Sequence, residues 1–416
     1  MTAAEKRLTM VLLCFSGSIM YWLPFVSETF YVPMQDAFGF SKTQLGILSS
    51  TYGLLALITY FPGGWLADRI SPRKLISVAL AITAAGGFVF STTPSFEICV
   101  LLFGLWGVTT SFIFWSAMIK ATRNLASEKE QGRAFGILEG GRNSVDMVTG
   151  AILLAVFAYR GADDDALSEQ IFIYASVALI LALIVWLIMK DDTTPRNDDQ
   201  EVQKNLTVAG IIEVVKLPIV WLMAIIIMSA YCGYYGAYFF TPYATEVFEL
   251  GSVLGATISN AKLWIAALAA VVAGFIADKI GPAKAVLIFF ILMTSGFFVF
   301  ALLPGTPKLL PLLLINVAVI ASAVYALRGI YFSLLEQGDI PIAVTGTATG
   351  LISVIGYTPD IFMPIIGGMI LDATPGAGGY QKYFLFVSAL SSIGLIAAFI
   401  VYRKIQYKPS RTQSQR

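Results

Sequence analysis

Twelve apolar runs follow one another along this chain, each about as long as the roughly 20-residue helix that crosses a bilayer's hydrocarbon core. They fall at about 8–31, 44–67, 75–94, 97–120, 134–158 and 170–189. After a polar stretch they resume at about 217–245, 252–277, 284–303, 308–334, 344–371 and 380–402. In lipid every backbone N–H and C=O must be satisfied internally, so only helices and closed barrels cross. Barrel strands alternate apolar and polar residues, and these runs do not alternate. Of 416 residues 57% are hydrophobic and 13% charged. A soluble domain carries about 25% charge, so this chain cannot cover a water-facing surface. The expectation is an all-α polytopic membrane protein with twelve transmembrane helices.

The charge pattern orients it. With both termini cytoplasmic, Lys and Arg gather in the inner loops and tails. Only Lys42, Arg160, Lys308 and Lys382 fall in outer loops, and Arg142, Lys262 and Arg328 lie inside spans. That is the positive-inside bias. The first run follows Lys6 and Arg7, as in a signal peptide, but it is too long and lacks a small-residue cleavage site, so it reads as a retained span. Net charge is +1 and histidine is absent. Nucleic-acid binding, His-based metal sites and His-dependent catalysis are therefore not expected. Cys14, Cys99 and Cys232 sit far apart in apolar runs and read as small buried hydrophobes.

The two halves repeat. Gly64-Trp65-Leu66-Ala67-Asp68-Arg69-Ile70-Ser71-Pro72-Arg73-Lys74 returns as Gly274-Phe275-Ile276-Ala277-Asp278-Lys279-Ile280-Gly281-Pro282-Ala283-Lys284, each copy closing the second span of its half. This is a parallel duplication. It divides the chain into a six-helix bundle at 1–189, a charge-rich cytoplasmic linker at 190–216 and a second bundle with its tail at 217–416. The repeated segment resembles the G-x-L-A-D-[RK]-x-G-[RK]-[RK] loop of the major facilitator superfamily. Ser71 departs from it in the first copy and Ala283 in the second. The resemblance implies that fold, with alternating access and a cytoplasmic latch built from Gly64, Asp68, Arg69, Arg73, Lys74, Gly274, Asp278, Lys279 and Lys284. Physically, the glycines would let helices approach closely, and the aspartates would accept hydrogen bonds from helix N-termini or cations. Gly132, Gly136, Gly140, Gly346 and Gly350 also have the spacing of close helix contact.

A charge near the bilayer centre costs about 2.5–3.5 kcal/mol on insertion scales and needs a reason. Span five holds Glu139, Arg142 and Asp146 on one helix face. They read either as a self-neutralising triplet or as an anion-binding Arg142 beside a proton-accepting Asp146 or Glu139. Lys262 and Asn260 sit in span eight, which the family fold sets beside span five; they read as candidates for substrate binding, or, as the plainer alternative, Lys262 forms an ion pair with Asp146. The resemblance makes span ten cavity-lining, so Arg328 is either a second anion site or the partner of Glu336. Asp360 follows Pro359, which loosens the helix locally, and reads either as a titratable, proton-coupling group at a hinge or as a proline-capped structural aspartate. Glu28 is a proton acceptor or a wetted rim residue. Tyr231, Tyr234, Tyr235 and Tyr238 form a stripe on span seven, and Trp115 lies in span four; both read as packing or as a lining for a polar substrate.

The expected function is secondary active transport of a small polar or anionic metabolite across a bacterial inner membrane by a monomer, as proton symport. Antiport, drug or lipid export on the same fold, and a non-transporting sensor are the alternatives. No phosphate loop is present, so no nucleotide is expected, and no cofactor or enzymatic activity is implied. Within the family, the glycerol-phosphate type implies arginines in spans one and seven, and the nitrate type in spans two and eight. This chain matches neither.

Overall fold

The computed structural model describes residues 2–125, 131–190, 215–337 and 345–406. All of its regular structure is helical among these residues. Among the described residues, nine helices are long and apolar enough to cross a membrane, at the expected spans three, four, six and seven to twelve. Spans one, two and five correspond to α1 (Ala3–Trp22), α4 (Lys42–Arg69) and α8 (Gln131–Tyr159). Charge explains two of the shortfalls: α1 opens on Glu5, Lys6 and Arg7, and α8 carries Arg133, Glu139, Arg142 and Asp146.

Helix starts follow their side chains. Thr2 caps α1 and Ser41 caps α4, each reciprocally with a residue three positions on, Glu5 and Gln44. Proline occupies the first turn of α5 (Pro72–Phe90), where its missing N–H costs nothing. The repeated loops differ in one respect. Gly281 takes φ 89° before its helix, a conformation that favours glycine, whereas Ser71 at the same place takes φ −64°. The serine departure is therefore strain-free.

The first expected span is not one helix. Pro24 cannot continue the hydrogen-bond ladder, so α1 ends at Trp22 and the chain resumes as the short α2 (Val26–Thr29) and α3 (Tyr31–Phe38). Other spans also leave α geometry. A π-helix, Thr109–Trp115, interrupts span four between α6 (Phe96–Val108) and α7 (Ser116–Leu125). In span seven, α10 (Pro218–Gly236) passes through a 3-10 turn, Ala237–Phe239, into α11 (Phe240–Val247). Span ten, α14 (Leu310–Ile330), ends in the 3-10 turn Tyr331–Ser333. Span eleven breaks between Thr345–Gly356 and Pro359–Ala373, at Pro359.

The chain forms two compact units. One takes its described residues from Met1–Thr194, Phe240–Trp264 and Asp360–Ala373, the other from Pro195–Phe239, Ile265–Pro359 and Thr374–Arg416. The first buries Leu12, Leu13, Ile76, Leu80, Met118, Leu138 and Val185 together. In the second, Phe290, Met293, Phe297, Tyr383, Phe384 and Val387 are fully buried. The three cysteines are buried and unpaired.

Helix contacts in the first unit are close enough to exclude side chains. A Cβ on Gly46 would sit 2.3 Å from the Pro364 carbonyl oxygen, and one on Gly368 2.3 Å from that of Lys42. Between α1 and α8 the tight glycine is Gly141, whose added Cβ would meet the Cys14 Sγ at 2.4 Å. Gly136, Gly140 and Gly274 correct the sequence reading: an added Cβ there meets nothing within 4 Å. Gly136 and Gly140 are exposed, one helical position away from the contacting face. Gly132, Gly346 and Gly350 lie outside the residues whose side chains are described. Gly46→Ala is expected to lose about 1–3 kcal/mol through overpacking against backbone. Gly136→Ala should be neutral or gain up to about 1 kcal/mol of helix propensity. Unfolding of the two variants in detergent checks the contrast.

Candidate functional site

In the first unit the parallel helices α1 and α8 meet at regular intervals: Cys14 on Gly141, Gly17 under Arg142, Ser18 on Asp146 and Trp22 on Gly150. Glycine at 17 is what admits the arginine, because an added Cβ would lie 2.6 Å from its Cδ. Arg142 Nε donates to the Gly17 carbonyl oxygen at 3.1 Å and Nη1 pairs with Glu139 at 2.8 Å. Its guanidinium carbon stands 5.6 Å from the Tyr21 ring and 5.5 Å from Trp115. Trp115 closes the π-helical turn, and Tyr60 hydrogen-bonds its side chain. Asp146 accepts from the Ser18 hydroxyl and from Trp22 Nε1 at 3.2 Å, and Trp22 stacks on Tyr174 at 4.3 Å. Ser18, Trp22 and Tyr174 had no signal in the residue pattern that would assign them to Asp146.

Lys262 is 1% exposed, and its Nζ lies 3.4 Å from Glu28. The ion pair expected with Asp146 is thus found with Glu28 instead. The Pro24 break explains it: α2 carries Glu28 away from the axis of α1, and the Ser259 hydroxyl holds the Glu28 carbonyl oxygen at 2.9 Å. Phe240 stands 6.0 Å from the ammonium. Asn260 faces α8, 2.9 Å from where a Cβ on Gly150 would be. Asp360 opens its helix, and its backbone is the surface that Gly53 packs against.

A further polar join ties α4 to the helix Pro359–Ala373. The Asp372 carboxylate accepts from the backbone N–H groups of Lys42 at 3.1 Å and Thr43 at 2.8 Å, and Lys42 Nζ pairs with Glu246 at 2.7 Å. Sequence reasoning counted Lys42 only as an outer-loop charge and passed over Glu246 and Asp372. A carboxylate distant in sequence that caps a helix leaves no local pattern.

The second unit holds a different arrangement. The Arg328 guanidinium carbon lies 4.3 Å from the Tyr234 ring, 5.2 Å from Tyr231 and 5.8 Å from Tyr325. Its Nη2 reaches the Tyr231 hydroxyl at 3.5 Å and it also hydrogen-bonds Tyr331. Tyr331 and Tyr357 place their hydroxyls 3.5 Å apart. Tyr235 and Tyr238 stack on each other, with centroids 5.1 Å apart, further along the stripe. The described residues pair Arg328 with no carboxylate; the side chain of Glu336 is outside them. A desolvated guanidinium surrounded by aromatic rings gains cation–π energy of about 0.5–2 kcal/mol from a ring.

In the repeated loop, Arg69 donates to the Trp65 carbonyl oxygen at 3.2 Å and lies 4.0 Å over that indole, while Arg73 reaches the Trp186 carbonyl oxygen at 3.5 Å. Lys74, Asp278, Lys279 and Lys284 are exposed. The side chain of Asp68 and the surroundings of Gly64 lie outside the described residues.

Removing one member of a buried ion pair strands the other. Lys262→Met is expected to cost about 3 kcal/mol, with most of it recovered in Glu28→Gln/Lys262→Met. A double-mutant cycle on thermal unfolding measures the recovery.

The chain is 27% identical over 408 residues to the Escherichia coli inner membrane protein YqcE, covering 97% of this chain and 96% of that protein. It is 23% identical over 454 residues to a glycerol-3-phosphate transporter of Bacillus subtilis, covering 96% and 93%. Its fold matches a bacterial homologue of the human lysosomal transporter Spinster, in an inward-facing conformation, with a TM-score of 0.79 at 15% identity over 99% of this chain and 100% of that one. The Major Facilitator Superfamily profile matches residues 9–359, and the chain belongs to that superfamily of membrane-embedded secondary transporters, which are not enzymes.

Proposed function

We propose that this transporter carries a small organic anion across a bacterial inner membrane, in symport with protons. The observation that carries the reading is Arg328, a guanidinium among Tyr231, Tyr234, Tyr325 and Tyr331 with no paired carboxylate among the described residues. The similarity to a glycerol-3-phosphate transporter supports an anionic class, and the similarity to YqcE supports the inner membrane. Twelve spans with both termini cytoplasmic, six on each side of the 190–216 linker, complete the architecture.

Among the described residues, spans one, four, seven, ten and eleven leave α geometry. Irregular backbone at membrane depth is tolerated where it is buried in protein or lines a water-filled cavity. That supports a solute-facing role for the irregular segments within each unit. Asp146 and the Glu28–Lys262 pair supply the proton-coupling groups: a carboxylate beside a cation can exchange that partner for a proton during the cycle. The Gly64–Lys74 and Gly274–Lys284 loops serve as the cytoplasmic latch.

Flux into proteoliposomes tests this. Arg328→Gln should lower anion uptake about 10- to 100-fold, the worth of hydrogen bonds to a charged group. Asp146→Asn should abolish accumulation driven by a proton gradient while sparing substrate exchange at equal concentrations. Uptake indifferent to Arg328→Gln would refute the anion reading, and undiminished accumulation in Asp146→Asn would remove that residue from coupling.

A further inference from the structure

Three cations lie inside the expected spans, and their surroundings differ. Arg142 has Glu139 at 2.8 Å, and Lys262 has Glu28 at 3.4 Å. Arg328 has tyrosines only, among the described residues. From this charge count we propose that the Arg328 site takes a singly charged, hydroxylated organic anion, a hydroxycarboxylate of the sugar-acid kind, and discriminates against the dianion of a phosphate monoester. The proposal rests on the anion-transport reading and narrows it.

A carboxylate carries one charge and two oxygens, which a guanidinium matches with two parallel hydrogen bonds. Nothing further needs to be neutralised. A phosphate monoester carries about −1.5 to −2 at pH 7, its second pKa being near 6. Its second charge would meet the faces of Tyr231, Tyr234 and Tyr325, and aromatic faces are the negative side of the ring quadrupole. Among the described residues, the groups in contact with Arg328 are tyrosines and include no second cation: Tyr231 and Tyr234 come from α10, Tyr325 from α14 and Tyr331 from the 3-10 turn that follows, with Tyr357 against Tyr231 at 4.7 Å. The same phenols suit a hydroxylated body, since each offers a donor and acceptor at its tip and an apolar face for a C–H edge.

The test is binding to the purified full-length protein by calorimetry, with D-gluconate, D-glucose 6-phosphate and D-glucose as probes at pH 8 and pH 5. Gluconate should bind at pH 8 at least about tenfold more tightly than the phosphate ester, for the loss of one charged-group interaction. The gap should narrow at pH 5, where the ester becomes a monoanion. Both anions should be lost in Arg328→Gln, and Tyr234→Phe should weaken gluconate while keeping the ring. Wild-type selectivity needs no variant, so a misfolded Arg328→Gln leaves the test intact. Glucose 6-phosphate binding as well as gluconate at pH 8, in an Arg328-dependent way, overturns the charge count and leaves anion transport standing. Binding of glucose alone, of none of the probes, or of anions indifferent to Arg328 overturns both.

Discussion

An ionised side chain in a hydrocarbon layer must be paired, hydrogen-bonded or matched by a ligand, and the arrangement of this protein follows from how each interior charge is accommodated. Arg142 is held by a carboxylate, a backbone carbonyl and two aromatic rings, and it fits only because position 17 is glycine. Lys262 is enclosed almost completely and depends on Glu28. Arg328 is stabilised by rings and hydroxyls that lower its cost without cancelling its charge. Two of the cations are therefore matched by carboxylates within the fold, and the third, among the described residues, by aromatic rings and hydroxyls; it is the one proposed to receive the solute.

Much of the architecture was legible in the sequence because lipid is an unforgiving solvent. Length and hydropathy located the helices, nine of which among the described residues are long and apolar enough to cross a membrane, and the loop from Gly64 to Lys74 with its copy pointed to the superfamily to which the chain belongs. The interior charges were legible for the same reason, since a lone Arg or Lys in an apolar run stands out. Their partners were not. Lys262 and Glu28 are 234 positions apart, Asp146 and Ser18 are 128 apart, and Asp372 caps a helix 330 positions away. No local pattern carries such pairings.

Backbone irregularity was the other gap, and it was partly readable. Pro24 stands inside the first apolar run and ends α1, which in turn delivers Glu28 to Lys262. Hydropathy alone passes over that proline because its neighbours are apolar. The π-helix ending at Trp115 and the 3-10 turn opening at Tyr331 have no such marker. They sit beside Arg142 and Arg328 respectively, so the distortion falls where the polar side chains are placed. Glycine spacing misled in the opposite direction: Gly136 and Gly140 have the right period on the wrong face, while Gly141 makes the contact with Cys14.

In the proposed cycle the solute's negative charge is received by Arg328 rather than by the paired cations. The most direct measurement is an experimental structure of the protein with its transported solute bound. The anionic group is expected within hydrogen-bonding distance of the Arg328 guanidinium, bordered by the Tyr231 and Tyr234 rings, with the Arg142–Glu139 pair intact. Solute density seated on Arg142 or Lys262, with Arg328 uncontacted, would contradict it.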